Sequence, residues 1–180
     1  LAVNQAVCPW TANSSAPWLT LSTNRGVGSA VLRLTVAANP LGASRTATLT
    51  IGGQNVSVNQ APLDLIRPTA SLAALNLTNA GSAFHSLQVA YADNVAIRVA
   101  SLNSSDIRVT GPNGYNALAT LDSVSAGTDG TPRTATYRIT SPAAAWHNGH
   151  NGTYTVALET GQVFDINSNA AVGAVLGTFT

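Results

Sequence analysis

From Trp18 onward the chain runs in short stretches in which apolar and polar residues alternate. Ala30–Ala37 sets Val31, Arg33 and Thr35 on one side and Leu32, Leu34 and Val36 on the other. Ala47–Ile51 alternates in the same way, and Trp18–Ser22 and Val56–Val58 are shorter stretches of the same kind. A period of two places one face of a strand in a core and the other in water. Gly26, Gly28, Asn39-Pro40 and Gly52-Gly53 break these runs. A glycine pair also supplies the positive φ that a tight hairpin needs.

The pattern continues beyond Ile66-Arg67-Pro68, which reads as a linker or as the first strand of a new domain. Strands are expected over 70–77, 85–92, 96–99, 107–110, 117–125, 133–139, 152–158, 162–164 and 175–180. Turn chemistry separates them at Asn79-Ala80-Gly81, Gly111–Gly114, Asp129-Gly130, Asn148-Gly149 and Asn151-Gly152. Many short strands with regular turns argue for a sandwich, and no window carries a helical period. The predicted class is all-β, with two immunoglobulin-like β-sandwich domains in tandem, over 1–63 and 64–180.

Composition sharpens this reading. The chain has 180 residues, of which 45% are hydrophobic and only 8% charged, against about 25% charged in an average soluble protein. Thr, Ser, Asn and Gly take the place of charge, which suits strands and turns and not a disordered chain. The net charge is +1 and the eight basic residues, all Arg, are scattered. A nucleic-acid partner is therefore not expected. No apolar stretch reaches about 18 residues, so no membrane insertion is expected. A lone cysteine, Cys8, excludes an internal disulfide and reads as a buried, unreactive thiol.

A short repeat adds context. Leu1–Ala6 reads LAVNQA and Val56–Ala61 reads VSVNQA. Residues 1–6 are read as the end of a preceding copy, or a cap on this one, in a parent protein carrying such modules in series. The abrupt start in strand-like sequence fits a piece excised from a larger chain.

Cys8-x-Trp10, Trp18-Leu19, Gly26-x-Gly28, Asn39-Pro40, Arg45–Gly53 and Val58-x-Gln60 together resemble the BACON family. These are small bacterial β-sandwich modules, often repeated, attached to secreted hydrolases, proteases and surface proteins. The resemblance implies a fold and a cell context for about 55 residues, and the family name records a proposed carbohydrate-binding role. Leu87–Asp93, Asp106–Gly114, Thr134–Ile139, Trp146, Asn151–Val156, Asp165, Asn169 and Leu176–Phe179 resemble bacterial Ig-like repeats of large secreted proteins. Those motifs are structural.

Three aromatic residues are the candidate ligand contacts: Trp10, Trp18 and Trp146. An indole face can stack on a sugar, but a domain of about 55 residues also needs large aromatics to fill its core. Gln60 is assigned to satisfying backbone groups between strands. For a metal, Asp93-Asn94, Asp106 and Asp165-x-Asn167-x-Asn169 offer oxygens near strand ends, with Asp93, Asp165 and Asn167 as the calcium candidates. The competing reading is that these side chains cap their own turns. His147 and His150 are too few to hold zinc. No other cofactor is expected.

Hydrolysis fails on inventory. No G-x-S-x-G elbow is present, and Glu159 is the single Glu, so a Glu/Glu glycosidase pair is impossible; an Asp-containing pair is not excluded by count, but nothing in the sequence places two Asp together. The expected function is a non-catalytic spacer or display module of a secreted or cell-surface bacterial protein, partnered by neighbouring domains of its own parent chain. The alternative is an accessory module that binds glycans or another surface ligand, attached to a secreted hydrolase or adhesin.

Overall fold

The computed structural model describes residues 8–74, 76–78 and 80–180. The repeat at 1–6 lies outside them, as do Leu75 of the strand expected over 70–77 and Asn79 of the turn that follows. The chain divides into two compact units, Leu1–Leu63 and Asp64–Thr180. Both are built from antiparallel strands, and no helix is long and apolar enough to cross a membrane among the described residues.

In the first unit, β1 (Pro9–Ser14), β2 (Leu19–Leu21), β3 (Arg25–Val27), β4 (Leu34–Val36), β5 (Arg45–Ile51) and β6 (Gln54–Gln60) follow in order. One sheet runs β3-β1-β5-β6, and β2 and β4 form a separate two-stranded ribbon. The alternation in β5 does what its sequence requires. Ala47 and Leu49 are buried while Thr46, Thr48 and Thr50 face water. Leu19 joins them from β2, with Ala16, Trp18, Leu21, Ile51 and Val58 packed around. Gly52 and Gly53 turn β5 into β6 at φ +56° and +80°, a pair of left-handed positions that favours a two-residue hairpin.

Three expectations for this unit need correction. Ala30–Ala37 is a strand only over Leu34–Val36, and Leu34 and Val36 stay exposed, because a two-stranded ribbon offers no full second layer. Cys8 is exposed, not buried. Gly26 is inside a strand and not a break: the Trp10 ring lies where its side chain would be, with Cζ2 2.3 Å from the Cβ position.

The second unit contains β7 (Thr69–Ala73), β8 (Phe84–Ala92), β9 (Ile107–Thr110), β10 (Asn116–Leu118), β11 (Thr120–Val124), β12 (Arg133–Thr140), β13 (Tyr154–Leu158) and β14 (Ala174–Phe179). They form two four-stranded sheets, β10-β9-β13-β14 and β11-β12-β8-β7. Leu87, Val89 and Tyr91 of β8 and Tyr137 and Ile139 of β12 share one buried cluster with Ile107, Val109, Val156 and Phe179 of the other sheet. Faces from two sheets meeting in one core make this a sandwich-like unit.

The strand expected over 117–125 is two strands. Leu118 ends the pairing with β9, and Thr120 begins the pairing with β12. Fully buried Ala119 stands at the crossing and donates its N–H to Ile107 O at 2.8 Å. The stretches 96–99 and 162–164 are not strands. They contribute isolated bridges only, Ile97 to both Gly130 and Asp165, and Phe164 to Ala170.

Candidate functional site

The bridges just named gather several loops at one end of the second unit. Ile97 N donates to Gly130 O at 2.9 Å, Arg98 N to Phe164 O at 2.9 Å and Ile166 N to Ala96 O at 3.1 Å. The segment after β8 is thereby tied to the loop between β13 and β14. Asp93, the first residue past β8, and Asp165, in that loop, come together with Asp64, the first residue of the unit. One carboxylate oxygen from each lies within 4.8 Å of the others.

Each aspartate uses one oxygen to cap its own turn. Asp64 Oδ1 accepts from Ile66 N at 3.0 Å, Asp93 Oδ2 from Val95 N at 2.8 Å, and Asp165 Oδ1 from Asn169 N at 2.7 Å. These are the Asx-type contacts expected of such residues. Amides cross-link the group: Asn94 Nδ2 donates to Asp64 Oδ1, and Asn169 Nδ2 donates to both Asp165 Oδ2 and Asp64 O. Asp165 is fully buried. Asp64 Oδ2 and Asp93 Oδ1 are shut off from solvent and accept no hydrogen bond.

Among the described residues no arginine forms an ion pair with the cluster. The ion pairs among the described residues are Arg108–Glu159 and Arg138–Asp122. Arg98 directs its guanidinium to Ile166 O and Ser168 Oγ instead. The donor set is all oxygen, which suits a hard cation such as calcium and not zinc.

The three sequence-derived calcium candidates divide. Asp93 and Asp165 are brought together, whereas Asn167 is exposed and Asn169 makes the contacts. Asp64 carries no such signal in the sequence; it stands just before Ile66-Arg67-Pro68, which reads as a linker or as the first strand of a new domain. Asp106 is elsewhere, buried in the core: its Oδ2 accepts from Tyr137 OH at 2.7 Å and Asn103 N at 2.8 Å, and Oδ1 has no partner. Tyr137 OH also lies 2.9 Å from Tyr91 OH. Burial raises the Asp106 pKa above the usual carboxylate range and raises those of both tyrosines.

The tryptophans are occupied internally. Trp10 is half-buried against Gly26 and donates Nε1–H to Gly28 O at 2.9 Å. Trp18 is half-buried, with the Arg45 guanidinium 4.4 Å above its ring. Trp146 is 2% exposed and packs edge-on to Tyr154 and His150, so its ring presents no face to a ligand. The His147 and His150 rings lie against each other, with centroids 3.8 Å apart and planes tilted by 41°. Their Nδ1 atoms accept backbone N–H groups of Gly149 and His147. Desolvation, then neighbouring His147, lowers the His150 pKa.

The remaining marked residues of the first unit form one polar lock. Arg45 Nε donates to Gln60 Oε1 at 2.9 Å, and its Nη2 donates to Ala37 O and Ala38 O. Gln60 Nε2 also donates to Ala37 O at 2.9 Å. Buried Asn39 donates Nδ2–H to Ala43 O, Gln60 O and Ala61 O and accepts from Leu41 N. Gln60 thus satisfies backbone between strands, as its position suggested.

No curated protein and no solved structure matches the chain. Residues 9–61 match the BACON family model, described as "Putative binding domain, N-terminal". The match falls within the first unit, and it is this stretch, rather than the whole chain, that carries the family's pattern.

Proposed function

We propose that the chain is a non-catalytic structural module of a secreted or cell-surface bacterial protein, where it spaces or displays a neighbouring domain of the same parent. In this reading the second unit is a bacterial Ig-like repeat. One observation carries the proposal. The residues that mark the first unit, Trp10, Trp18, Asn39, Arg45 and Gln60, are engaged in contacts within that unit. A ligand platform would leave an aromatic face and polar groups free to meet a sugar. The family description as a binding domain supports a second reading, an accessory module for glycans.

A glycan array followed by calorimetric titration of the full chain separates the two. The spacer reading predicts no saturable heat at millimolar oligosaccharide. Saturable binding that is lost in Trp18→Phe, with the melting profile unchanged, would replace it with the glycan reading.

A further inference from the structure

We propose that Asp64, Asp93 and Asp165 form a calcium site that fastens the first residues of the second unit to the loops after β8 and before β14. The inference is independent of the role proposed for the first unit. Three carboxylates that are not close in sequence converge within 4.8 Å. Turn capping accounts for one oxygen on each. It leaves Asp64 Oδ2 and Asp93 Oδ1 buried without a hydrogen bond. A buried, unpaired carboxylate oxygen is costly, and neighbouring like charges add repulsion. A cation relieves both at once.

The chemistry selects calcium. It takes about 6–8 oxygen ligands at about 2.3–2.6 Å and accepts irregular arrangements of carboxylates, carbonyls and water. Magnesium demands near-octahedral geometry at shorter distances and gives up its water reluctantly. Asn94 and Asn169 hold the carboxylates of Asp64 and Asp165 in place by hydrogen bonding, the supporting role usual around metal ligands.

The test uses the full chain, stripped with EDTA and dialysed. Isothermal titration with calcium chloride is expected to give one site per chain. Scanning calorimetry is expected to show the transition of the second unit rising by about 10 °C at a hundredfold excess over Kd. Magnesium at the same concentration should produce a much smaller shift. Asp93→Asn, whose side chain can still cap Val95 N, should weaken calcium binding at least tenfold. Asp64→Asn provides the same test should the first variant fold poorly. Asp122→Asn, whose partner is Arg138, should bind as the parent does. No calcium heat and no thermal shift at 10 mM would overturn the proposal. So would equal responses to magnesium and calcium, or undiminished affinity in a folded Asp93→Asn or Asp64→Asn protein.

Discussion

Replacing Tyr137 with Phe removes one oxygen from the centre of the second unit and leaves the ring in place. That oxygen joins Asp106 Oδ2 at 2.7 Å and Tyr91 OH at 2.9 Å, and all three side chains are fully buried. A hydrogen bond to a charged group contributes about 1.5–3 kcal/mol, and a buried partner left unsatisfied adds a cost of similar size. Asp106 retains Asn103 N, and Oδ1 is already without a partner. The loss is therefore placed at about 2–3 kcal/mol. For a unit of this size it lowers the melting temperature by about 10 °C. Scanning calorimetry of Tyr137→Phe at pH 7 reads this directly. A further refinement follows from charge: the Tyr137 bond is stronger to an ionised carboxylate, so the loss should shrink in acid, where Asp106 is protonated. A variant within about 0.5 kcal/mol of the parent at pH 7 would refute the reasoning, because burial would then not be making the network count.

Three other perturbations follow from the same contacts. Asp106→Asn removes a carboxyl whose folded pKa is raised by burial. The parent should be most stable below the unfolded value of about 3.9 and lose stability as pH rises through the folded value. The variant should lose that contribution to the pH dependence in urea titrations, and an unchanged slope would contradict the assignment. Gly26→Ala sets a Cβ 2.3 Å from Trp10 Cζ2 and should cost about 1–3 kcal/mol, with the Trp10 emission shifted to the red. Gln60→Ala breaks the Arg45–Gln60–Ala37 lock and should lower the stability of the first unit by about 1–2 kcal/mol in chemical denaturation.

Much of this fold was legible because burial follows a period of two. The span expected at 107–110 is β9 itself, and β5 buries Ala47 and Leu49 as its alternation requires. The split at Ala119 was not legible, since a strand that changes sheets keeps the same alternation on both sides of the crossing. β1 was missed because its alternation rests on two apolar positions, Trp10 and Ala12, too short a run to stand out; its place is set by pairing with β3 and β5. Trp146 reads from the sequence as a candidate ligand contact, and the structure buries it edge-on against Tyr154 and His150. Asp93 and Asp165 stood out as turn carboxylates near strand ends. Asp64 carried no signal, because its meeting with them depends on long-range pairing that no local spacing reports.

Two separately cored units underlie every point above, and calorimetry of the intact chain tests this most directly. Eighteen buried residues make the core of the second unit among the described residues, against Leu19, Ala47 and Leu49 in the first. Two transitions are expected, the first with an unfolding enthalpy of about 40 kcal/mol and the second, at higher temperature, with about 80 kcal/mol. One cooperative transition carrying the whole enthalpy, with equal calorimetric and van't Hoff values, would contradict the account.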